Sequence, residues 1–266
     1  MKEGSVTCLG VIPVRLESSR FPNKPLKVIH GKTLVERVWL QASRSKRVTT
    51  LVVATNNEEI AAECSKKGMR CVMTSSSHET GTDRVAEACA LLEAQGASFD
   101  LVANIQGDMP FVNPAVIDSV VASLASADAG FGMATIGTPI ISLEEFNRAA
   151  TVKIALGESG RALYFSRAAI PHWRNFPGVE GVTAENPLGY KHMGLYIFRR
   201  ETLDVISRLP KAFTEQRESL EQLRALAHGI GIRAHIVPRD QVEPCIEVDT
   251  PQDLEDAERY ARERGL

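Results

Sequence analysis

Cysteine is scarce. The 266 residues hold five, Cys8, Cys64, Cys71, Cys89 and Cys245, none in a CxxC pair or a close Cys/His cluster. That spacing signals no zinc site. An odd, scattered set builds no disulfide framework either, so a reducing, cytoplasmic setting is expected. No apolar run approaches the roughly 18–20 residues of a membrane span, and residues 1–7 lack a signal-peptide apolar core. No membrane association is therefore expected. Neither charge dominates: 31 Lys and Arg face 33 Asp and Glu, a formal net charge of −2. That balance argues against a general nucleic-acid or anionic-membrane binder. A Walker A loop, a Gly-rich dinucleotide fingerprint, HExxH and a Ser/His/Asp order are all missing. There is no internal repeat and no low-complexity tract.

What is present is ordinary globular composition, 44% hydrophobic and 24% charged, enough for a sizeable core. The length suits one large domain with an appendage. The first half alternates strand and helix signals. Residues 8–14, 50–55, 70–74 and 101–105 are short apolar runs, as strands buried on both faces would be. Between them, Thr33 caps a helix carrying Leu34, Val35, Val38 and Ala42. Residues 58–67 form a second helix ending at Gly68, and Thr82 begins a third with Val85, Ala88, Cys89 and Leu92 on one face. Asn113-Pro114 opens a fourth. Repeated β-α-β units imply a parallel sheet that takes its ligands at the strands' carboxyl ends. After residue 140 the texture changes. Strands are expected at 134–141, 151–156, 162–165, 192–198 and 233–237, with a loop over 171–187. A helix is expected at 219–228, and a capping box at Thr250 opens the last helix.

Four segments carry chemistry. Residues 12–26 (IPVRLESSRFPNKPL) start at a strand's carboxyl end and bring Arg15, Arg20 and Lys24 together with Ser18 and Ser19. Such a loop can hold a triphosphate by charge and backbone donors, or it can be a solvated basic loop. Asp108 in Gln106-Gly107-Asp108 ends an apolar strand. It is placed to hold Mg²⁺ against phosphates, or to form a turn before Pro110. Asp249 is a second candidate metal ligand, or an anion favoured by the helix that follows. In Glu79-Thr80-Gly81-Thr82-Asp83-Arg84, glycine permits close approach to a flat ligand and Arg84 supplies donors; the alternative is a helix cap at Thr82 with a solvated arginine. In the second half, Arg167, Lys191 and His192 suit a small carboxylate. Charge is segregated as a phosphate site needs. Residues 1–30 hold five Lys/Arg against two Glu, while residues 240–266 hold nine Asp/Glu against three Arg.

In order along residues 9–260, these segments resemble the 3-deoxy-manno-octulosonate (Kdo) cytidylyltransferases, or CMP-Kdo synthetases. The resemblance rests on IPVRLESSRFPNKPL, HETGTDR, NIQGDMPFV, ALYFSRAAIP, YKHMGLYIFRR, LEQLRAL and EVDTPQDLE. It implies a Rossmann-like α/β nucleotidyltransferase fold, a mostly parallel central sheet flanked by helices, with a smaller sugar-binding and dimerisation region. The expected division is 1–140 for nucleotide, 141–230 for sugar acid and dimer contacts, and 231–266 returning to the main domain. The implied reaction joins CMP from CTP to the anomeric hydroxyl of Kdo and releases pyrophosphate, for lipopolysaccharide synthesis, in a cytoplasmic homodimer using Mg²⁺. Arg15, Ser19, Arg20 and Lys24 would face the triphosphate, and Thr80, Gly81, Thr82, Arg84 and Gln106 the nucleotide. Asp108 and Asp249 would hold the metal. Arg15, Lys24, Asp108 and Asp249 would form the catalytic set, and Arg167, His192, Tyr196, Glu221 and Gln222 would line the sugar pocket. The chain departs from the family pattern at Glu17 and Asn23, where glycine is usual, and at Met109. The alternatives are another acid sugar as acceptor (8-amino-Kdo or sialic-type) and a non-catalytic nucleotide-binding relative.

Overall fold

The computed structural model describes residues 6–17, 21–244 and 246–266. The chain forms two compact units, Met1–Asp118 with Glu243–Leu266, and Ser119–Val242. The expected boundary at 140 falls at the end of a strand of the second unit, and that at 230 just before another.

The first unit is built on four strands, with a small hairpin beside them. The strands of the sheet are β1 (Cys8–Pro13), β4 (Thr50–Thr55), β5 (Cys71–Met73) and β6 (Leu101–Asn104); β2 (Val28–Ile29) and β3 (Lys32–Thr33) form the hairpin. β1 lies between β4 and β6, β5 lies outside β4, and every pairing is parallel. Leu9, Val11, Ile12, Val52, Val53 and Val102 are fully buried, which is why these strands are runs of apolar residues rather than alternations. Four helices connect or follow them: α1 (Leu34–Ala42), α2 (Glu58–Lys66), α3 (Gly81–Glu93) and α4 (Pro114–Ala125). Thr33 caps α1 by accepting from Glu36 N–H. α2 runs out at Lys67, and Gly68 turns the chain with φ 69°.

The cap of α3 differs from expectation. Thr80, not Thr82, is the N-cap: its hydroxyl accepts from Asp83 N–H, and the Asp83 carboxylate accepts from Thr80 N–H. The sequence holds two threonines two residues apart, and only Thr80 has an acid three residues on that closes a capping box.

The second unit contains β7 (Met133–Ile140), β8 (Lys153–Leu156), β9 (Ala162–Ser166), β10 (Gly189–Arg199) and β11 (Ile232–Ile236). β7 pairs parallel with β11 and antiparallel with β10, while β8 pairs antiparallel with β10 and β9. Its helices are short: α5 (Leu143–Asn147), α6 (Arg200–Ile206), α7 (Phe213–Glu218), α8 (Gln222–Ala227) and α9 (Arg239–Val242). The single helix expected at 219–228 is not formed. Ser219 takes the left-handed conformation (φ 53°, ψ 48°) and ends α7, so α8 begins afresh at Gln222. A mid-pattern serine gives no warning of that break. The chain then returns to the first unit in α10 (Pro251–Arg264), capped by Thr250 and Asp253 as the sequence predicts.

Candidate active site

The first unit gathers its functional groups beyond the carboxyl ends of β1 and β6. After β1 the loop reaches Asn23, which adopts φ 57°, a conformation asparagine tolerates better than most residues. The turn aims Lys24 inward at the start of a 3-10 turn, Lys24–Leu26. Lys24 Nζ donates to Asp108 Oδ2 at 3.2 Å and to Asp249 Oδ1 at 2.9 Å. Burial works against the ammonium, but the charges and hydrogen bonds of Asp108 and Asp249 outweigh it and hold the Lys24 pKa above its ordinary value. Asp108 moves the opposite way for a carboxylate beside a lysine: burial raises its pKa, and Lys24 offsets this only in part.

Backbone geometry explains why these groups meet. Val248 N–H donates to Asp108 C=O at 2.9 Å, tying the segment before α10 to the turn after β6. Gly107 permits that turn. A Cβ there would lie 2.4 Å from Val14 Cγ1 and 3.2 Å from Pro13 O, too close for any other residue. Gln106 is oriented by donating to Asn104 Oδ1 at 3.0 Å. Asp249 does not cap α10. Its N–H donates to Asp253 Oδ2, leaving capping to Thr250 and Asp253 and its own carboxylate to Lys24.

Next to this, a pocket of about 90 Å³ opens at the N-terminus of α3, lined by Pro13, Arg15, His78, Thr80, Gly81 and Arg84 among others. Arg84 is buried and donates to Thr74 Oγ1 at 2.5 Å. Burial first, then the neighbouring Arg15 charge, lowers its pKa, an arrangement that favours an anionic occupant. His78 Nε2 meets the Glu87 carboxylate, which also accepts from Ser75 N–H. Burial pushes Glu87 up, but those two contacts hold its pKa below the usual value. Glu17, which adds a negative charge to the loop, accepts from Asn57 Nδ2 at 3.0 Å, and that bond lowers its pKa. Ser18, Ser19 and Arg20 lie outside the described residues, as does Cys245.

The second unit holds the other cluster. Arg167 follows β9 and Glu221 and Gln222 open α8, while His192 and Tyr196 lie on β10. β10 bulges against β7: Met193 opposes Ile136, yet Tyr196 opposes Thr135. The bulge brings the His192 and Tyr196 rings to 5.4 Å between centroids. Thr135 Oγ1 donates to Leu195 C=O at 2.8 Å, so His192 Nε2, at 3.0 Å, is the donor to that hydroxyl. Burial pushes the His192 pKa down to about 3. The imidazole is therefore neutral and can meet a ligand only through hydrogen bonds or its ring face. Lys191 Nζ faces Glu145 Oε1 at 3.7 Å. Arg167 donates from Nε to Glu218 C=O at 2.8 Å and from Nη1 to Ala149 C=O at 3.3 Å. Gln222 Nε2 is buried without a hydrogen-bond partner, the state of a donor that awaits a ligand.

The structure thus brings Lys24, Asp108 and Asp249 into contact and places Arg15, Thr80, Gly81 and Arg84 around one pocket. It sets His192 against Tyr196. Sequence reasoning missed His78 at the pocket and Glu87, which meets it. It also missed Lys153 and Glu218 behind Arg167. His78 opens the HETGTDR motif and was legible there; Lys153 stands out only as a charge inside an apolar strand. Among the described residues, no group of three or more His, Cys, Asp or Glu gathers to hold a metal, and no helix is long and apolar enough to cross a membrane.

A family model described as cytidylyltransferase matches residues 9–233. The 3-deoxy-manno-octulosonate cytidylyltransferase of Syntrophobacter fumaroxidans is 44% identical over 247 residues, covering 93% of this chain and 94% of its own. The protein of the same name from Polynucleobacter necessarius is 42% identical over 247 residues, covering 93% and 92%. A solved structure of CMP:2-keto-3-deoxy-manno-octonic acid synthetase complexed with CTP matches with a TM-score of 0.85 at 34% identity, covering 97% of this chain and 99% of that one. Fold and likeness together define an α/β nucleotidyltransferase with a mostly parallel sheet flanked by helices. Within that class, the chain belongs to the 3-deoxy-manno-octulosonate cytidylyltransferase family.

Proposed function

We propose that this enzyme transfers CMP from CTP to the anomeric hydroxyl of Kdo and releases pyrophosphate. The observation that carries the reading is Lys24 bracketed by Asp108 and Asp249 at 3.2 and 2.9 Å, in a chain of this family. In the reaction the sugar oxygen attacks the α-phosphorus in line, and no covalent enzyme intermediate is needed. Lys24, Arg15 and Arg20 neutralise the triphosphate and the leaving pyrophosphate. Arg84 and the Thr80–Gly81–Thr82 turn hold the nucleotide with Gln106. Arg167 offers charge to the sugar carboxylate, and Tyr196, Glu221, Gln222 and neutral His192 offer hydrogen bonds and ring surface.

Asp108 and Asp249 fit Mg²⁺. Two hard oxygen donors converge on one cationic atom, and Mg²⁺ takes one or two carboxylates together with substrate phosphates. When bound, the ion supplies charge neutralisation at the α-phosphate. The family resemblance extends the reading to a cytoplasmic homodimer whose product feeds lipopolysaccharide synthesis.

The test is pyrophosphate release with CTP, Mg²⁺ and Kdo, with UTP and ATP as controls and other sugar acids as a panel. Release with Kdo and CTP is expected. Tight CTP binding with no release from any sugar acid refutes the reading. Asp108→Asn should reduce turnover by at least about 10²-fold at an unchanged fold. Wild-type turnover in that variant removes Asp108 from the metal site.

A further inference from the structure

Arg167 is the cation assigned to the sugar acid, and it is held on both sides by residues with no assigned role. On one side is Lys153, fully buried in β8. Its ammonium donates to Arg148 C=O at 3.0 Å, to Thr151 C=O at 2.6 Å and to Arg167 C=O at 2.6 Å. An ammonium has three protons, so these three carbonyls use them all. Burial first lowers its pKa; the Glu218 charge opposes that and the Arg167 charge adds to it. A buried lysine that meets only carbonyl dipoles is costly, and a hydrophobe of similar length would fill the space without that cost. What the lysine adds is a link between the loop before β8 and the backbone of Arg167.

On the other side is Glu218, the last residue of α7. Its carboxylate accepts from Arg167 N–H at 2.9 Å and from Ser166 Oγ at 2.6 Å, and its carbonyl accepts from Arg167 Nε at 2.8 Å. Arg167 Nη1 also donates to Ala149 C=O at 3.3 Å. The Arg167 main chain is thus fixed at its N–H and its C=O, and its guanidinium at Nε and Nη1. Only the remaining face of the guanidinium is left to grip a carboxylate. Glu218 lies just before the left-handed Ser219 that swings the chain into Glu221 and Gln222. One residue therefore sets the register between Arg167 and the start of α8. Glu215, in the same α7, holds α8 from behind through a buried pair with Arg224, Oε2 to Nε at 3.0 Å.

We infer that Lys153 and Glu218 are positioning residues for the sugar-acid acceptor: they hold the Arg167 guanidinium in register with Glu221 and Gln222. The inference rests on the proposed sugar-acid role of Arg167. Bidentate recognition of a carboxylate depends on the orientation of the planar fork, so loosening it weakens acceptor binding and leaves the nucleotide untouched.

The experiment is steady-state pyrophosphate release on the full chain, varying Kdo at saturating CTP and then CTP at saturating Kdo. The variants are Arg167→Ala, Glu218→Gln, Glu218→Asp and Lys153→Met, with thermal unfolding of each. Glu218→Gln keeps the side-chain volume but removes the charge, so neither Arg167 N–H nor Ser166 Oγ any longer donates to a carboxylate. It should raise KM for Kdo about tenfold and leave KM for CTP within about twofold, the scale of one charge-assisted hydrogen bond lost at one substrate only. Glu218→Asp, which keeps the charge, should recover part of that loss. Lys153→Met should act in the same direction; if it does not fold, Glu218→Gln decides. Should Arg167→Ala raise KM for Kdo while Glu218→Gln leaves it unchanged, the inference is overturned and the sugar site stands. An equal rise in both KM values, following a lowered melting temperature, marks a merely structural role and also overturns it. An Arg167→Ala variant with wild-type KM for Kdo overturns the sugar-site reading itself, and this inference with it.

Discussion

Replacing Lys24 with methionine removes the ammonium between two carboxylates and keeps most of the side-chain length. In the wild type, Asp108 Oδ2 and Asp249 Oδ1 lie 3.2 and 2.9 Å from Lys24 Nζ. Without the cation they face each other across no more than about 6 Å, where like charges repel by at least about 3 kcal/mol at an effective dielectric near 20. Their side chains are 27% and 36% exposed, and water screens part of that. A destabilisation of about 2 kcal/mol remains, which corresponds to roughly 4–8 °C in Tm for a chain of this size. The assay is thermal unfolding at neutral pH, first in EDTA and then in excess MgCl₂. The variant should melt lower than wild type in EDTA and gain more than wild type from Mg²⁺, because a divalent ion replaces the charge that methionine lacks. A variant as stable as wild type in EDTA refutes the electrostatic reasoning. Equal gains from Mg²⁺ in both proteins refute the placement of the ion at these two carboxylates.

His192 gives a pH prediction. Its pKa falls from 6.5 to about 3 in the folded state, so below about pH 6.5 the unfolded chain binds a proton that the native chain refuses. Stability drops by about 1.4 kcal/mol per pH unit through that window; denaturant titrations should show wild type losing about 2 kcal/mol more than His192→Gln between about pH 7 and about pH 5. Gly107→Ala should destabilise by about 1–3 kcal/mol, since its Cβ meets Val14 Cγ1 at 2.4 Å; it should also depress turnover, because the next residue is Asp108, and an unchanged denaturation midpoint would show that the turn has slack. Thr80→Ala removes the α3 cap and should cost about 1 kcal/mol; CTP affinity measured by calorimetry should fall with it, whereas Thr82→Ala should leave the cap energy intact.

Part of this protein was legible along the chain. The apolar runs at β1, β4 and β6 read directly as buried parallel strands because such strands are apolar on both faces. Asn23 reads as a turn residue because its own side chain tolerates positive φ. The Thr250 cap reads correctly because Asp253 is three residues away. Where two local signals compete, as with Thr80 and Thr82, or where one left-handed residue interrupts a helical pattern, as at Ser219, local reading placed the boundary wrongly.

Seven motifs in order were enough to assign a family. Contact was a different matter. Lys24 lies 84 residues from Asp108 and 225 from Asp249, and no local pattern says that two strand-end loops and the segment before α10 converge. That convergence depends on β6 pairing beside β1 and on Val248 N–H bonding to Asp108 C=O. The protonation state of His192 was likewise undecidable from its letter, since burial, supplied by Phe165, Thr135 and the β10 bulge, is a property of packing. Sequence by itself determined which chemical groups this enzyme carries. Tertiary structure decided which of them meet, and at what charge, because distance and desolvation exist only once the chain is folded.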